Sequence, residues 1–386
     1  MSQKTKVSVS QNIPKSSLIL PSVKESQETD GIMTFTMENT NVSIANALRR
    51  TILSDIECVV MDTSLEKNHI KIFKNTSRFN NEILKQRLGS IPVHIKDFDI
   101  IDDLVVEINR VNDSDSIDYI TTNDFKIKNL TTNTYLDDEA VSQIFPPDPL
   151  TNGHILFARL RPKISNDIPG QELHLECKLS VSNASQNGMY NLVSTCAYAN
   201  TPDKVEQQSQ WQQVEQELEE KGYEKEDIDY FEKNWKLLKG KRFFVKDSFD
   251  FKIETIGVYT NLDLVHAAIN VINKKLATIN EICQSGKLII EKDKTTMSNT
   301  VDITLENEDY TIGKVIEYIL HNEYYLSEDR VLDYIGFIKM HPHDTDSIIR
   351  ISFHQQDNFT DENIRSVISY ACQTGINIFT NLKEYF

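Results

Sequence analysis

The pattern of apolar and polar residues predicts an amphipathic helix within residues 41–56, NVSIANALRRTILSDI. Asn41 or Ser43 can accept a hydrogen bond from a free backbone N–H at the start of this helix and so cap it. The apolar residues that follow recur at the spacing of one helix face. This face includes Ile44, Leu48 and Ile52. We therefore predict a helix that runs to about Asp55 and buries one face in a core.

A second copy of this helix start lies 268 positions further along (309 minus 41), in DYTIGKVIEY, residues 309–318. Both copies run Asn or Asp, any residue, Ser or Thr, Ile, and then Ala or Gly. Asp309 or Thr311 supplies the second cap, and Gly313 takes the Ala or Gly position. The second apolar face includes Ile312, Val315, Ile316 and Ile319. A repeated helix start indicates a repeated architecture.

Strands accompany each of these helices. Residues 32–38 alternate apolar and polar positions before the first helix, and residues 248–257 alternate before a long helix capped by Asn261. Residues 299–386 contain strands and helices of the same kind, whereas the β-rich residues 58–200 interrupt the first unit. We predict an α+β fold in which two similar dimerisation units form a pseudo-dimer within one chain. Their fusion keeps the two halves at a high effective concentration.

The same patterns divide the chain into predicted domains. These are a flexible tail that could include one early strand (1–30), a discontinuous large-half dimerisation domain (31–57 and 241–284), an inserted β-rich domain (58–202), a charged helical insertion (203–240) and a small-half dimerisation domain (285–386). The helical insertion is charged and rich in Gln, so we expect a solvated pair of surface helices there.

The charge balance argues against strong direct binding of nucleic acid. The chain has 41 basic and 58 acidic residues, which gives a formal net charge of −17. A protein that grips a phosphate backbone usually carries the opposite sign over at least one domain. Docking onto basic protein partners is compatible with an acidic chain.

The five cysteines are dispersed and form no C-x-x-C pair. This argues against a disulfide framework and against a zinc site built from clustered cysteines. Free thiols indicate a reducing intracellular compartment. The N-terminal segment has too short an apolar run for a signal peptide, and no segment approaches the ~20 apolar residues that span a bilayer. We therefore expect no membrane association.

One cluster offers a metal site as an alternative. The run HPHDTD places His341, His343 and Asp346 close together, and imidazole and carboxylate groups are common metal ligands. A metal hydrolase could be built on such a cluster. We favour a polar β-turn, because Pro and Asp are frequent turn residues. Gly-rich phosphate loops and the G-x-S-x-G nucleophile motif are absent from the sequence.

Two arginines on the first helix are candidate binding residues. Arg49 lies on the flank of the apolar face and Arg50 lies nearly opposite it. They could bind phosphate, pair with the carboxylates of a protein partner, or form a plain solvated edge. Bidentate pairing by guanidinium groups is common at interfaces, so we favour a protein partner. Arg87 could likewise act at an interface or in structural pairing.

Six segments, in order, carry a resemblance to a known family. They are residues 41–56, 75–93 (NTSRFNNEILKQRLGSIPV), 169–191 (PGQELHLECKLSVSNASQNGMYN), 249–272 (FDFKIETIGVYTNLDLVHAAINVI), 307–320 and 335–353. The first four resemble the α-like subunits of cellular RNA polymerases, including the archaeal D-type protein and the third-largest subunit of RNA polymerase II. The last two resemble its small partner, the archaeal L-type protein or the eleventh subunit of RNA polymerase II. One chain carrying both resembles the fused form of large cytoplasmic DNA viruses.

This resemblance implies a non-catalytic assembly platform for a DNA-directed RNA polymerase. An α-like dimerisation unit would be fused to a second, smaller one, and the second-largest, largest and small polymerase subunits would be its partners. Arg49 and Arg50 would face the second-largest subunit, and Glu82, Arg87 and Gly89 would lie near that contact. The apolar faces of the two similar helices would form the intramolecular dimerisation contact. Catalytic residues and magnesium would belong to another subunit.

The chain departs from the family where some members bind metal. Many eukaryotic members carry a four-cysteine zinc loop and some archaeal ones an iron–sulfur domain, but residues 94–168 contain no cysteine here. We expect no zinc and no cluster. The implied location is the host cytoplasm or the virion if the chain is viral, and the nucleus otherwise. A scaffold of the same fold outside transcription, and the metal hydrolase, remain as alternatives.

Overall fold

The computed structural model separates the chain into two compact units. The residues it describes are 19–64, 69–165, 167–292, 297–328 and 330–386. The first unit, called the paired unit for its two similar halves, comprises the described residues up to 52, within 195–254 and within 261–386. The second, called the inserted unit, comprises the described residues within 53–194 and 255–260.

Strands and helices of both units have the following bounds. The strands are β1 (Ser22–Thr29), β2 (Ile32–Glu38), β3 (Cys58–Met61), β4 (Ile70–Asn75), β5 (Leu104–Val111), β6 (Asp118–Thr121), β7 (Lys126–Asn129), β8 (Thr134–Tyr135), β9 (Leu156–Leu160), β10 (Glu172–Ser182), β11 (Val193–Pro202), β12 (Phe244–Thr255), β13 (Ile289–Lys292), β14 (Thr300–Leu305), β15 (Leu332–Ile338) and β16 (Ser347–Phe353). The helices are α1 (Val42–Ser54), α2 (Asn81–Gly89), α3 (Asp138–Ile144), α4 (Lys204–Glu220), α5 (Lys225–Leu237), α6 (Asn261–Gln284), α7 (Tyr310–Leu320) and α8 (Asp361–Lys383).

The first half of the paired unit contains a four-stranded sheet in the order β1–β2–β12–β11. Along the chain, α1 follows β2 and α6 follows β12. Phe35 of β2 lies opposite Phe251 of β12 in the strand register, and their stacked rings have centroids 4.9 Å apart. Both are buried, as expected for the inward positions of alternating strands. The strands predicted over residues 32–38 and 248–257 are therefore present, and the α+β class is confirmed.

The tail predicted over residues 1–30 contains the early strand that the sequence left open. Residues 1–18 of it lie outside the described residues, but residues 22–29 form β1, which pairs antiparallel with β2. The two-residue turn between them is Asp30–Gly31, and both residues have positive φ angles, 53° and 77°. An Asp-Gly pair is a strong signal for this type of hairpin turn. The composition of the strand is polar, because most of β1 is exposed.

The end of the inserted domain also differs from the prediction. Residues 195–202, predicted within the insertion, belong to β11, which lies beside β12 in the sheet of the paired unit. Thr201 of β11 donates a hydrogen bond to Asp250 of β12 (2.7 Å). A local sequence pattern does not show which strands become neighbours in a sheet.

The second half of the paired unit repeats this architecture with the sheet order β13–β14–β16–β15. Helix α7 packs on β15 and on α8. The face of the sheet turned away from its buried apolar residues carries Asp302 and Arg350, which are register partners. Two hydrogen bonds of 2.6 and 2.7 Å join their side chains, a bidentate pairing that fixes the register of β14 and β16.

The long helices α6 and α8 pack against each other in antiparallel directions. Lys383 donates a hydrogen bond to Asn270 (2.9 Å), and Ser369 donates one to Asn280 (2.6 Å). The apolar faces between these bonds are buried. Because α6 follows the first sheet and α8 follows the second, this helix pair joins the two halves.

The helix pair predicted over residues 203–240 consists of α4 and α5 and has its own small core. The side chains of this core are Trp211, Ile228 and Trp235, with Val214, Leu218, Phe231 and Phe243 packed against them. A β-carbon at Gly240 would lie 2.8 Å from the Trp235 ring, so the turn after α5 sits directly on that ring. The other faces of α4 and α5 are largely exposed and charged.

The inserted unit is built on a sheet in the order β3–β10–β5–β7–β8, in which β4 also pairs with β10. A two-stranded sheet, β6–β9, completes it. A cluster of buried apolar side chains forms one core, which includes Leu84 and Leu88 of α2 and Phe157 of β9. This core fixes α2 beside β9 and so positions the predicted binding residues of α2.

Candidate pairing and partner-binding site

The two copies of the helix start have the same cap geometry. The Asn41 side chain accepts a hydrogen bond from the Ser43 backbone N–H (2.9 Å), and the Asp309 side chain accepts one from the Thr311 N–H (2.8 Å). A side-chain oxygen thus satisfies one of the free N–H groups at the start of α1 and of α7. The equivalence predicted from sequence therefore holds at the level of hydrogen bonds.

The repeat extends further back along the chain than the two helix starts. Asn39 and Asn307, also 268 positions apart (307 minus 39), both adopt the left-handed conformation, with φ angles of 56° and 57°. Asn tolerates this conformation better than most residues. Each follows a Glu, in Met-Glu-Asn and Leu-Glu-Asn respectively. The shared Glu-Asn pair, preceded by an apolar residue in both copies, is the signal in the sequence that could have extended the predicted repeat.

Arg50 connects the two copies directly. Its Nε donates to the Thr311 hydroxyl (2.9 Å), and its Nη2 donates to the Asp309 carboxylate (2.5 Å). Both side chains of the ion pair are about two-thirds buried, with 35% of each exposed. The sequence predicts Arg50 on an outer edge that the core does not need. The structure instead places its guanidinium at the N-terminus of α7.

Several groups stabilise the Asp309 carboxylate in its charged form. Burial opposes ionisation, but the hydrogen bonds from Thr311 and the charge of Arg50 outweigh it, so the pKa of Asp309 is lowered. The carboxylate also lies at the start of α7, where the helix dipole favours negative charge. One side chain therefore caps a helix and binds an arginine from the other half.

The seven residues predicted for the intramolecular dimerisation contact are all buried. They are Ile44, Leu48, Ile52, Ile312, Val315, Ile316 and Ile319. Val315 and Ile319 of α7 lie against the backbone of α8 around Gly375. Burial of both stripes is what a pairing surface requires, and their role in pairing stays a prediction.

Arg49 has a different environment from Arg50. Its guanidinium donates two hydrogen bonds to the Asn46 side chain, at 3.1 and 2.9 Å, within the same helix. Its charge also lies near Cys196 of β11. Burial raises the pKa of the Cys196 thiol to about 12, and the Arg49 charge acts in the opposite direction. Among the described residues, Arg49 thus has a local partner rather than one in the second half.

Arg87 forms structural contacts within the chain, which is one of the two roles that the sequence left open. Its Nε and Nη2 donate to the backbone carbonyls of Phe157 (2.7 Å) and Leu156 (2.6 Å) on β9. The guanidinium also lies over the Phe79 ring, 5.5 Å from its centre. These contacts tie α2 to β9. Direct contact between Arg87 and a partner remains a prediction.

The other two predicted residues of α2 differ in exposure. Gly89 is buried, and a β-carbon there would lie 3.1 Å from the Thr63 hydroxyl, so a larger residue would press on the chain beside it. Glu82 is exposed in the first turn of α2, where a negative charge is favourable. Asn80 caps this helix by accepting from the Ile83 N–H (2.9 Å).

A hollow of about 300 Å³ opens beside Arg87. Its lining includes Ile83 and Ile91 from the α2 region and Ile155 from the chain before β9. The side chains of Ile83 and Ile155 are 41% and 45% exposed. Exposed aliphatic groups around a rigid arginine are suited to contact with a protein surface.

The HPHDTD run forms a turn between β15 and β16. Asp344 accepts from the His341 N–H (2.9 Å), and the Asp344 N–H donates to the His341 carbonyl (3.0 Å). The Asp346 carboxylate accepts from the Asn307 N–H (2.9 Å). These bonds favour the polar-turn interpretation. Within the described ranges, no group of three or more His, Cys, Asp or Glu side chains is arranged to hold a metal ion.

The long helices are amphipathic rather than uniformly apolar. In the part of the chain that the structure describes, no helix is both long enough and apolar enough to cross a bilayer.

The paired unit contains two strand–helix halves, and each half has its own copy of the capped helix start. The halves meet through the long helices α6 and α8. This arrangement defines a dimerisation fold. Residues 34–276 match the family described as the RNA polymerase Rpb3/Rpb11 dimerisation domain. The chain belongs to this family. The matched range contains α1 and ends within α6, and the second sheet lies outside it.

Individual relatives show the same similarity at low identity. The "DNA-directed RNA polymerases I and III subunit rpac1" of Dictyostelium discoideum is 24% identical over 64% of this chain and 78% of its own length. The "DNA-directed RNA polymerase II subunit RPB3" of Schizosaccharomyces pombe is 26% identical over 46% of this chain and 59% of its own length. A "Conjugation stage-specific protein" of Tetrahymena thermophila is 25% identical over 65% of this chain and 91% of its own length.

Proposed function

We propose that this chain is a non-catalytic assembly subunit of a multisubunit DNA-directed RNA polymerase, on which the two largest subunits assemble. Membership of the Rpb3/Rpb11 dimerisation family is the observation that carries this proposal. Two of its relatives are named as RNA polymerase subunits. A subunit of this type contributes surfaces and not catalytic groups.

We also propose that this one chain supplies both the large α-like subunit and its small partner. The second half repeats the strand, turn, cap and helix of the first. The α6–α8 helix pair joins the halves. Covalent linkage makes their pairing intramolecular, so it does not depend on protein concentration. The resemblance to the fused subunit of large cytoplasmic DNA viruses implies such a fusion. It also implies a location in the host cytoplasm or the virion.

The partner surfaces are proposed on two helices. On α1, Arg49 is the candidate for an ion pair with the second-largest subunit, because Arg50 already binds Asp309. On α2, Glu82 and the aliphatic hollow offer an exposed surface, which Arg87 supports from behind by holding α2 on β9. Small polymerase subunits would complete the assembly.

The remaining expectations also become part of the proposal. No zinc, iron–sulfur cluster or other cofactor would be needed, and no strong direct contact with nucleic acid, because the acidic chain lacks the charge for it. The five cysteines are buried free thiols, which suits a reducing intracellular compartment.

The test is co-purification of the full chain with candidate partners. An affinity-tagged chain is expressed together with the two largest polymerase subunits of its source and isolated at two salt concentrations. We expect both subunits to be retained in one complex. Recovery of the tagged chain with neither of them would reject the polymerase function and favour the scaffold alternative. Metal analysis of the same material addresses the hydrolase, which predicts stoichiometric metal at His341 and His343.

A further inference from the structure

The ion pair between the halves has no charged counterpart on the other side of the repeat. Under the 268-residue shift, Arg50 corresponds to Tyr318 (318 minus 50) and Asp309 corresponds to Asn41 (309 minus 41). The contact from α1 to the start of α7 therefore joins two charged residues. The equivalent residues, which would join α7 to the start of α1, are a tyrosine and an asparagine. The pseudo-dimer is symmetric in its caps and asymmetric in its charges.

Tyr318 lies near Asp247, a residue that pairs with the chain just before α1. Asp247 accepts a hydrogen bond on its backbone carbonyl from the Thr40 N–H (3.1 Å), one residue before the cap of α1. Burial raises the pKa of Tyr318, a hydrogen bond with Asn322 opposes this, and the charge of Asp247 adds to the rise. Tyr318 thus lies within electrostatic range of Asp247, the residue whose backbone pairs with the chain just before α1.

Apolar burial by itself does not distinguish the possible pairings of the halves. Both helices carry a cap of the same type and a buried aliphatic stripe, and hydrophobic contact is not directional. Two first halves from separate chains, or two second halves, would bury comparable surfaces. Such contacts would link one chain to another instead of closing a chain on itself.

We infer that the Arg50–Asp309–Thr311 contact makes the pairing of unlike halves more favourable than the pairing of like halves. Two first halves would set Arg50 against Asn41, and two second halves would set Tyr318 against Asp309. Neither combination neutralises a charge. Only the unlike pair matches a guanidinium with a carboxylate and a hydroxyl, and specificity is a difference between such alternatives. This inference rests on the proposed fusion of two dimerisation units.

Charge reversal in the full chain tests this inference. The variants are Arg50→Glu, Asp309→Arg and the double variant, compared with wild type by thermal unfolding and by light-scattering mass over a range of concentrations. Arg50→Glu places two carboxylates together, so we expect Tm to fall by roughly 2–4 °C and the fraction of chain-to-chain dimer to rise. In the Asp309→Arg background the same substitution should raise Tm and reduce the dimer fraction.

The sign reversal separates the ion pair from the loss of the cap. Asp309→Arg also removes the acceptor for the Thr311 N–H, but this loss is common to the single and the double variant. Arg49→Glu is the matched control, because Arg49 is the neighbouring arginine and binds Asn46 of its own helix. Its effect on Tm should be the same in both backgrounds.

Two results would overturn the inference. Equal Tm losses from Arg50→Glu in both backgrounds would show that the pair does not couple the halves. The effect of Arg50→Glu on Tm could also reverse between the two backgrounds while the dimer fraction stays constant. In that case the contact would stabilise the fold without selecting which halves pair. Both measurements use the isolated chain, so a failure to bind polymerase subunits would reject the proposed function and leave this inference standing.

Discussion

Gly375 of α8 lies so close to α6 that a β-carbon on it would sit 2.9 Å from Cδ1 of Leu276. The next nearest atom is Cδ1 of Ile319 in α7, at 3.4 Å. The glycine therefore marks the point at which the three helices converge. Close approach of helices at a small residue is what allows the long α6–α8 contact to form.

Replacing Gly375 by leucine should destabilise the paired unit. The added side chain has no space and would force the neighbouring aliphatic groups off their rotamers, at a cost of about 1–3 kcal/mol. Urea unfolding monitored by circular dichroism measures this cost. Gln373→Leu on the exposed side of the same helix is the control and should change the free energy of unfolding by less than about 0.5 kcal/mol. Equal effects of both would deny the close packing.

Arg87→Ala should destabilise the inserted unit. It leaves the carbonyls of Leu156 and Phe157 without their guanidinium donor, which should cost about 1–3 kcal/mol. Arg87→Lys should recover part of this, because an ammonium group lacks the planar fork that reaches both oxygens. Gln86→Ala, at an exposed neighbouring position, is the control. If Arg87→Ala leaves stability unchanged but abolishes co-purification, Arg87 is a direct interface residue.

Arg49→Glu should weaken binding of the second-largest subunit while leaving Tm close to that of wild type. Reversal of a charge at a protein interface commonly costs about 1.4 kcal/mol or more, which is a tenfold loss of affinity. Surface plasmon resonance with the immobilised chain measures it. Arg50→Glu provides the contrast, since Arg50 binds Asp309 within the chain and its reversal should lower Tm. Unchanged affinity in Arg49→Glu would exclude Arg49 from the interface.

The Asp309 carboxylate should make stability depend on pH in a predictable direction. Its folded pKa is lowered relative to an unfolded value of about 3.9. Such a group adds stability that is fully present above the unfolded pKa and is lost as the pH falls through the folded pKa. The free-energy difference between wild type and Asp309→Asn should therefore shrink below about pH 4.

Asn is a suitable substitution at position 309 because it keeps the cap, as Asn41 does in the first copy. Urea unfolding between about pH 6 and pH 3 measures the difference. Asp229→Asn, on the exposed surface of α5, controls for the loss of one negative charge. A constant difference between wild type and Asp309→Asn across this range would show that Arg50 and Thr311 do not stabilise the charged form.

The cysteines should resist alkylation until the chain unfolds. Burial raises the pKa of the thiols of Cys58, Cys177 and Cys196 to about 12, so the reactive thiolate is scarce at pH 8. Iodoacetamide followed by mass spectrometry should show almost no adducts on the native chain. In urea all five cysteines should react. Rapid labelling of a native thiol would contradict its burial.

Patterns that extend over a few residues carried much of the fold. Alternation identified β2 and β12, and helical spacing identified α1, α6, α7 and α8, because each depends on residues that are neighbours in the sequence. One early strand was left open within the tail, but β1 could not be given bounds, since its exposed polar residues do not alternate as a half-buried strand does. The residues of β11 were assigned to the β-rich insertion, because local patterns carry no information about a partner strand.

By itself, the sequence determined the two capped helix starts and their buried stripes, since a cap and its N–H donor lie within a few residues of each other. It also supported membership of the family. Only the tertiary structure decided what Arg50 and Arg87 bind. Arg50 meets Asp309 across 259 positions of chain, and Arg87 meets Leu156 across 69. Such contacts exist only after packing has brought distant elements together, and a guanidinium on a helix surface looks the same in sequence whatever it finally binds.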